Sequence, residues 1–259
     1  MDMKMSEETR RTLFEYLLRL GDDQLVMAQR LSEWCGMGPI LEEDLALTNI
    51  ALDCTGQAEM MLGLAGEVEG QGRSGDDLAF LRDEDEFRNL QLLEMPRGHF
   101  GDTIVRQFLY DAFAWIYFGK LRESGFQPLA DIAAKVLKEV TYHLRHSREW
   151  LIRLGDGTEQ SHYKVQKSLD TQWVYTGELF FTDEVDAHLL ALKWVPDMAE
   201  VQPLWDDLVT QTLLEATLRR PVEPVFLPME ARLGRHSEYL GHMLANMQIL
   251  ARSHPGASW

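Results

Sequence analysis

The residues of this chain that could do chemistry stand where apolar ones are expected. Residues 47–68, "LTNIALDCTGQAEMMLGLAGEV", read at helical spacing as a stripe of Leu47, Ile50, Met61, Leu64 and Val68, interrupted by Cys54 and Gln57. Two polar residues at that spacing occupy the place of a Glu-x-x-His half-site in a di-metal carboxylate bundle. Three more stripes are interrupted in the same way. Leu13, Leu17, Leu20, Met27, Leu31 and Trp34 are broken by Gln24, with Asp23 beside it. Ile104, Phe108, Trp115 and Phe118 have Asp111 set among them, and Ile132, Val136 and Trp150 are broken by Glu139, His143 and His146. A buried carboxylate is costly unless it is paired, hydrogen-bonded or metal-bound, so such a layer must satisfy itself or hold something.

The di-metal template fits poorly. It asks for a Glu from each of two helices and a Glu-x-x-His from each of the other two. Cys54 and Gln57 stand at one half-site. At the other, in "KEVTYHLRHS", Glu139 meets Tyr142 three residues on, and His143 is preceded at that spacing by Val140. Glu139, His143 and His146 still share a face, which would serve as a half-site if a partner helix brought carboxylates. With Gln57 neutral and Cys54 a weak ligand unless deprotonated, oxygen donors for two metals are too few. A di-metal site, a single metal and a metal-free hydrogen-bonded layer all remain as readings, and the residues favour the last.

The elements that must position these residues are helices. Periodicity predicts them at about 8–34, 40–68, 100–124, 128–153, 161–190, 197–219 and 235–253, with "DEDEFRNLQLLE" as a short connecting helix and no alternating strand. The breaks are "CGMGP", "EGQGRSGDD", "MPRGHFGD", "SGFQP", "GDGTE", "KWVPD" and "RRPVEPVFLP". No repeat is visible and the linkers are short, so one all-α domain over 1–259 is expected, with Trp259 tucked locally or at an interface.

Composition narrows the function. A formal charge of −17 repels phosphate backbones and anionic lipid, which argues against nucleic-acid and membrane partners. The charged N-terminus lacks the apolar run of a targeting peptide, and no stretch approaches the roughly 20 apolar residues of a span. Cys35 and Cys54 have no C-x-x-C context and are read as reduced, small apolar helix residues in a cytoplasmic protein. Arg145, Arg148, Arg153, Arg219, Arg220, Arg232 and Arg235 are the clustered positives. They could meet a carboxylate or phosphate on a partner, or form a solvated face with local Glu pairs. Trp173, Trp194 and Trp205 read as core or interface anchors.

"LRLGDDQLVMAQRLSEWCG", "EEDLALTNIALDCTGQA", "FGDTIVRQFLYDAF", "KEVTYHLRHSREWLIRLGDGT" and "HSEYLGHMLANMQIL" resemble the PaaC family, subunits of the ring-1,2-phenylacetyl-CoA epoxidase, across nearly the whole chain. The resemblance implies a ferritin-like four-helix bundle with additional C-terminal helices, structural rather than catalytic, in a bacterial oxygenase of phenylacetate catabolism. It implies no cofactor in this chain. The di-iron centre belongs to a catalytic partner subunit, fed from NADPH by a reductase subunit. Cys54 and Gln57 fall where the catalytic relative has its first Glu-x-x-His, and Glu139 with Tyr142 or His143 at the second. Asp23 and Asp111 stand for the two lone carboxylates. The other expectation is a ferritin-like metal-dependent oxidase in its own right, using Glu139, His143 and His146 with Asp23 and Asp111. A homodimer is the expected state if the chain is alone.

Overall fold

The computed structural model describes residues 5–222 and 230–257, and among them the chain forms ten α-helices and no strand. These fall into two compact units.

The first unit runs through Pro96 and includes Glu184–Leu189 and the segment from Glu230 onward. Helix α1 (Glu7–Ser32) starts at Ser6, whose hydroxyl accepts the Thr9 N–H at 3.1 Å, with Glu7 and Glu8 against the positive end of the helix dipole. Helix α2 (Leu41–Glu69) ends at Gly70, whose φ of 70° is the left-handed conformation that closes a helix. The two pack along each other through fully buried Leu13, Leu17, Met27 and Leu31 on α1 and Leu47, Ile50 and Met61 on α2. Each such side chain contributes about 1.5–3 kcal/mol. At Gly21 the approach is so close that a Cβ would stand 2.6 Å from Leu62.

Three shorter helices complete this unit: α3 (Gly75–Phe80), α4 (Gln91–Glu94) and the Glu184–Leu189 part of α8 (Glu184–Ala191). Helix α10 (Glu238–Ser253) packs on α3, where the Gln248 amide donates to the carbonyls of Ala79 (3.2 Å) and Arg82 (3.0 Å).

The second unit comprises Arg97–Asp183 and the stretch beginning at Leu190. Helix α5 (Phe100–Leu121) is buried on nearly every face, because α6 (Gln127–Gly155), α7 (Glu159–Gln172) and α9 (Met198–Glu215) all pack on it. A helix apolar all round demands that environment. Trp205 of α9 donates its indole N–H to the Leu109 carbonyl at 3.0 Å and lies between Trp173 and Phe180, with ring centroids 5.7 and 5.3 Å away. Trp194 stacks on Phe126 at 4.9 Å. The tryptophans read as anchors are packed as such.

The expected long helices form within a few residues of their predicted ends, with four differences. The helix expected over 161–190 stops at Gln172, continues as a 3-10 helix (Trp173–Phe180) and restarts as α8. "WVYTG" is poor in helix formers, and the Thr176 hydroxyl bonds the Trp173 carbonyl three residues back at 2.7 Å, as a tighter turn allows. The glycine-rich break at 69–77 holds the start of α3, since Ser74 and Asp77 cap each other reciprocally. The connecting helix expected at 83–94 splits into a 3-10 turn (Glu84–Glu86) and α4. Cys35 lies exposed in the turn after α1, not in a helix, whereas Cys54 is buried in α2. Trp259 and most of "RRPVEPVFLP", for which the sequence carries expectations, lie outside the described residues. No described helix is long and apolar enough to cross a membrane.

Candidate functional site

Asp22 and Asp23 are consecutive in α1 and both buried. Consecutive helical residues point in different directions, so each meets its own partners. Asp22 receives the Arg82 guanidinium in a two-pronged contact and the Arg88 N–H at 2.8 Å. Asp23 receives Arg232 on both oxygens, at 3.0 Å to Oδ1 and 2.9 Å to Oδ2, and the Leu90 N–H on Oδ1 at 2.8 Å. Burial pushes the Asp23 carboxyl up to about 6 despite the opposing pull of Arg232 and the Leu90 N–H. Both oxygens of Asp23 are thus taken by donors from within the chain, and a cation seated there would face a guanidinium.

On α2, Cys54 and Gln57 are buried, as the broken stripe predicts, and among the apolar residues of that stripe. Neither is an acid. Among the described residues no group of three His, Cys, Asp or Glu side chains stands together as a metal site would need.

The second unit holds its own cluster. Asp111 of α5 is 2 % exposed and accepts from the Gln107 amide on Oδ1 and from the Ser147 hydroxyl on Oδ2, both at 2.7 Å. Ser147 lies one turn along α6 from His143, which is buried and whose carbonyl is 3.0 Å from the same hydroxyl. Burial raises the Asp111 carboxyl to about 6, opposed by His143, Ser147 and Gln107. Both carboxylate oxygens of Asp111 are thus hydrogen-bonded from within the chain. Glu139 and His146 are only half-buried. Tyr142 is 42 % exposed, stacked on His146 with the Arg145 guanidinium 5.7 Å from its ring, so it stands at the surface rather than in a core layer. Trp115, on the Asp111 stripe, is 40 % exposed. Periodicity assigns a side of a helix and not what covers it.

Four residues that bear on the site carry no local signal. Arg232, one of the clustered positives, meets the buried Asp23 of its own chain rather than a surface anion. Arg82 does the same for Asp22. His236 and Glu94 form a fully buried pair, Nδ1 to Oε1 at 2.6 Å, while Nε2 lies 3.0 Å from the Phe87 carbonyl. Glu94 also receives the Asn89 amide at 2.9 Å and the Ser237 N–H at 2.7 Å. These contacts clamp the segment before α10 onto the residues before and within α4. Four more of the clustered arginines form ion pairs: Arg153 with Glu149 and Arg235 with Glu230 close in sequence, Arg220 with Asp206, and Arg148 with Glu215 across a long separation.

A helical chain with buried, internally satisfied carboxylates has clear relatives. Among solved structures it superimposes on "Protein 19 with aldehyde deformylating oxidase activity from Synechococcus" with a TM-score of 0.54 at 16 % identity, covering 88 % of this chain and 96 % of that one. That likeness assigns a ferritin-like all-α fold. The chain is 47 % identical over 247 residues to a 1,2-phenylacetyl-CoA epoxidase subunit of Escherichia coli (strain K12), covering 95 % of this chain and 99 % of that protein. The family described as "Phenylacetic acid catabolic protein" matches residues 1–259. With that match running the length of the sequence, the chain belongs to the phenylacetic acid catabolic protein family.

Proposed function

We propose that this chain is a non-catalytic structural subunit of a multicomponent phenylacetyl-CoA 1,2-epoxidase, working in the cytoplasm. It docks onto and stabilises the catalytic subunit that carries the di-iron centre and receives electrons from a reductase. The near end-to-end match to a protein named as one subunit of such an epoxidase supports the setting. The observation that carries the structural role is Asp23, whose two oxygens are both committed to Arg232 and the Leu90 N–H. A di-iron centre needs its carboxylates free for the metals. Asp111 is committed likewise, to Gln107 and Ser147, and the half-site position on α2 offers Cys54 and Gln57. These residues do not fit a di-iron group, so the oxygen chemistry is assigned to the partner.

The test combines metal analysis with reconstitution. Protein purified alone from metal-replete medium should hold far less than the roughly two metal ions per chain of a loaded di-iron bundle. Turnover of phenylacetyl-CoA by the catalytic and reductase subunits should require this chain, and should persist with a folded Glu139→Gln variant. Stoichiometric iron or manganese in the isolated chain, or loss of turnover in a Glu139→Gln variant that still binds the catalytic subunit, would overturn the proposal in favour of an oxidase built on Glu139, His143 and His146.

A further inference from the structure

Helix α2 has an inward face, already described, and an outward one. Leu41, Leu45 and Leu52 lie along a single line of the helix by their spacing and are 72 %, 56 % and 64 % exposed. Met37 and Ile40, exposed in the turn before the helix, extend this apolar surface. That turn is built rather than loose: the Asp44 carboxylate accepts the N–H groups of Gly36 at 3.1 Å and Gly38 at 2.8 Å, which hold its carboxyl below the usual range. A single exposed leucine needs no explanation, but a row of large apolar side chains on one face marks an interaction surface.

Gly56 continues the line one turn beyond Leu52. A Cβ there would meet nothing within 4 Å, so this chain's own packing does not require glycine. A glycine inside a helix is destabilising, and its benefit is that another backbone can come close.

Charge selects the occupant. Between Arg30 and Arg73 the sequence contains no lysine, arginine or histidine, while Glu42 and Asp53 flank the leucines and Glu59 stands one turn beyond Gly56. A second copy of this chain would bring the same carboxylates against them, and like charges facing each other suppress a pairing. A helix whose apolar row is edged by lysine and arginine has the complementary pattern.

We infer that the outward face of α2, from Met37 through Gly56, is the seat for the partner subunit, which presents to it an apolar helix face edged with basic residues. The inference rests on the subunit role proposed above. The leucines supply affinity, the carboxylates speed encounter, and Gly56 lets the partner helix approach.

The probe is the purified catalytic subunit of the same epoxidase, titrated by biolayer interferometry against the full chain and its variants. Leu45→Glu and Leu52→Glu alter side chains that are already in water, so the melting temperature should hold while affinity falls more than about tenfold, the value of burying one leucine. Gly56→Gln should weaken binding comparably. The double variant Asp53→Lys/Glu59→Lys should slow association several-fold at low salt and little at high salt. No binding by the unmodified chain would overturn the subunit reading and this inference with it. Tight binding by the unmodified chain and equally by both leucine variants would overturn the seat alone. Unchanged or faster association of the double lysine variant would refute the basic edge, and a homodimer in sedimentation that Leu52→Glu dissolves would replace the partner by a second copy.

Discussion

Asp111→Asn isolates the consequence of burying a carboxylate beside neutral donors. In the wild type Gln107 and Ser147 each donate one hydrogen bond to Asp111, and burial raises its carboxyl from 3.8 to about 6. The amide can keep every bond: its oxygen accepts from Gln107, its NH2 donates to the Ser147 oxygen, and that hydroxyl turns to the His143 carbonyl, 3.0 Å away. What the substitution removes is a buried charge. A pKa raised in the folded state means that the folded protein binds the proton more tightly than the unfolded chain. The stabilisation is therefore fully present below the unfolded value and is lost as pH rises through about 6. The full difference, about 2 pKa units at about 1.4 kcal/mol each, is about 3 kcal/mol. Asp111→Asn should accordingly be as stable as the wild type or more so, by up to about 3 kcal/mol, at pH 7.5. Between pH 7.5 and 5 the wild type should recover about 1.4 kcal/mol relative to the variant. Urea denaturation of both proteins at several pH values in that interval measures this difference, and groups not coupled to Asp111 cancel between the two. An Asn variant less stable than the wild type at pH 7.5, by an amount that stays constant to pH 5, would mean that burial does not penalise the Asp111 carboxylate. Asp111→Ala is the contrast: it strands the Gln107 amide in the core and should cost about 1–3 kcal/mol.

Arg232→Met removes the cation that faces both oxygens of buried Asp23 and should destabilise by about 3–5 kcal/mol in urea unfolding at neutral pH, most of it recovered when Asp23→Asn is added. Two of the three glycines of α2, Gly66 and Gly56, should respond with opposite sign in thermal denaturation. Gly66→Ala places a Cβ 2.2 Å from the Arg73 carbonyl oxygen, a backbone atom that cannot step aside, and should cost about 1–3 kcal/mol, whereas Gly56→Ala meets open space and should gain about 0.5–1 kcal/mol.

Much of this protein can be read from residue order. The 3.6-residue recurrence of Leu13, Leu17, Met27 and Leu31, and of Leu47, Ile50 and Met61, is a property of local sequence, and each of these side chains is buried on the face that the spacing assigns. The polar residues within or beside the four stripes, Gln24, Asp23, Cys54, Gln57, Asp111 and His143, were equally legible and are buried, while Glu139 and His146 of the same pattern are only half-buried. The resemblance to the PaaC family came from motifs spread along nearly the whole chain. Local breaks in propensity were harder. Trp173–Phe180 is a 3-10 helix and α3 sits in a glycine-rich run, because single caps and turn bonds decide such short pieces.

What satisfies each buried polar group was decided by tertiary structure alone. Arg232 reaches Asp23, Arg82 reaches Asp22, and His236 reaches Glu94, all across long separations in sequence. Periodicity specifies the direction in which a side chain leaves its own helix, and has no term for the segment that arrives from elsewhere to meet it. The same limit explains Trp115, which the pattern assigns to an inner stripe, and Tyr142, which the resemblance implied at a half-site; the fold leaves both at the surface. Sequence therefore determined that this chain would bury carboxylates within a helical core. Only the folded chain determined that arginines, amides and hydroxyls would occupy their oxygens, since a carboxylate taken out of water binds whichever donor the packing brings within reach.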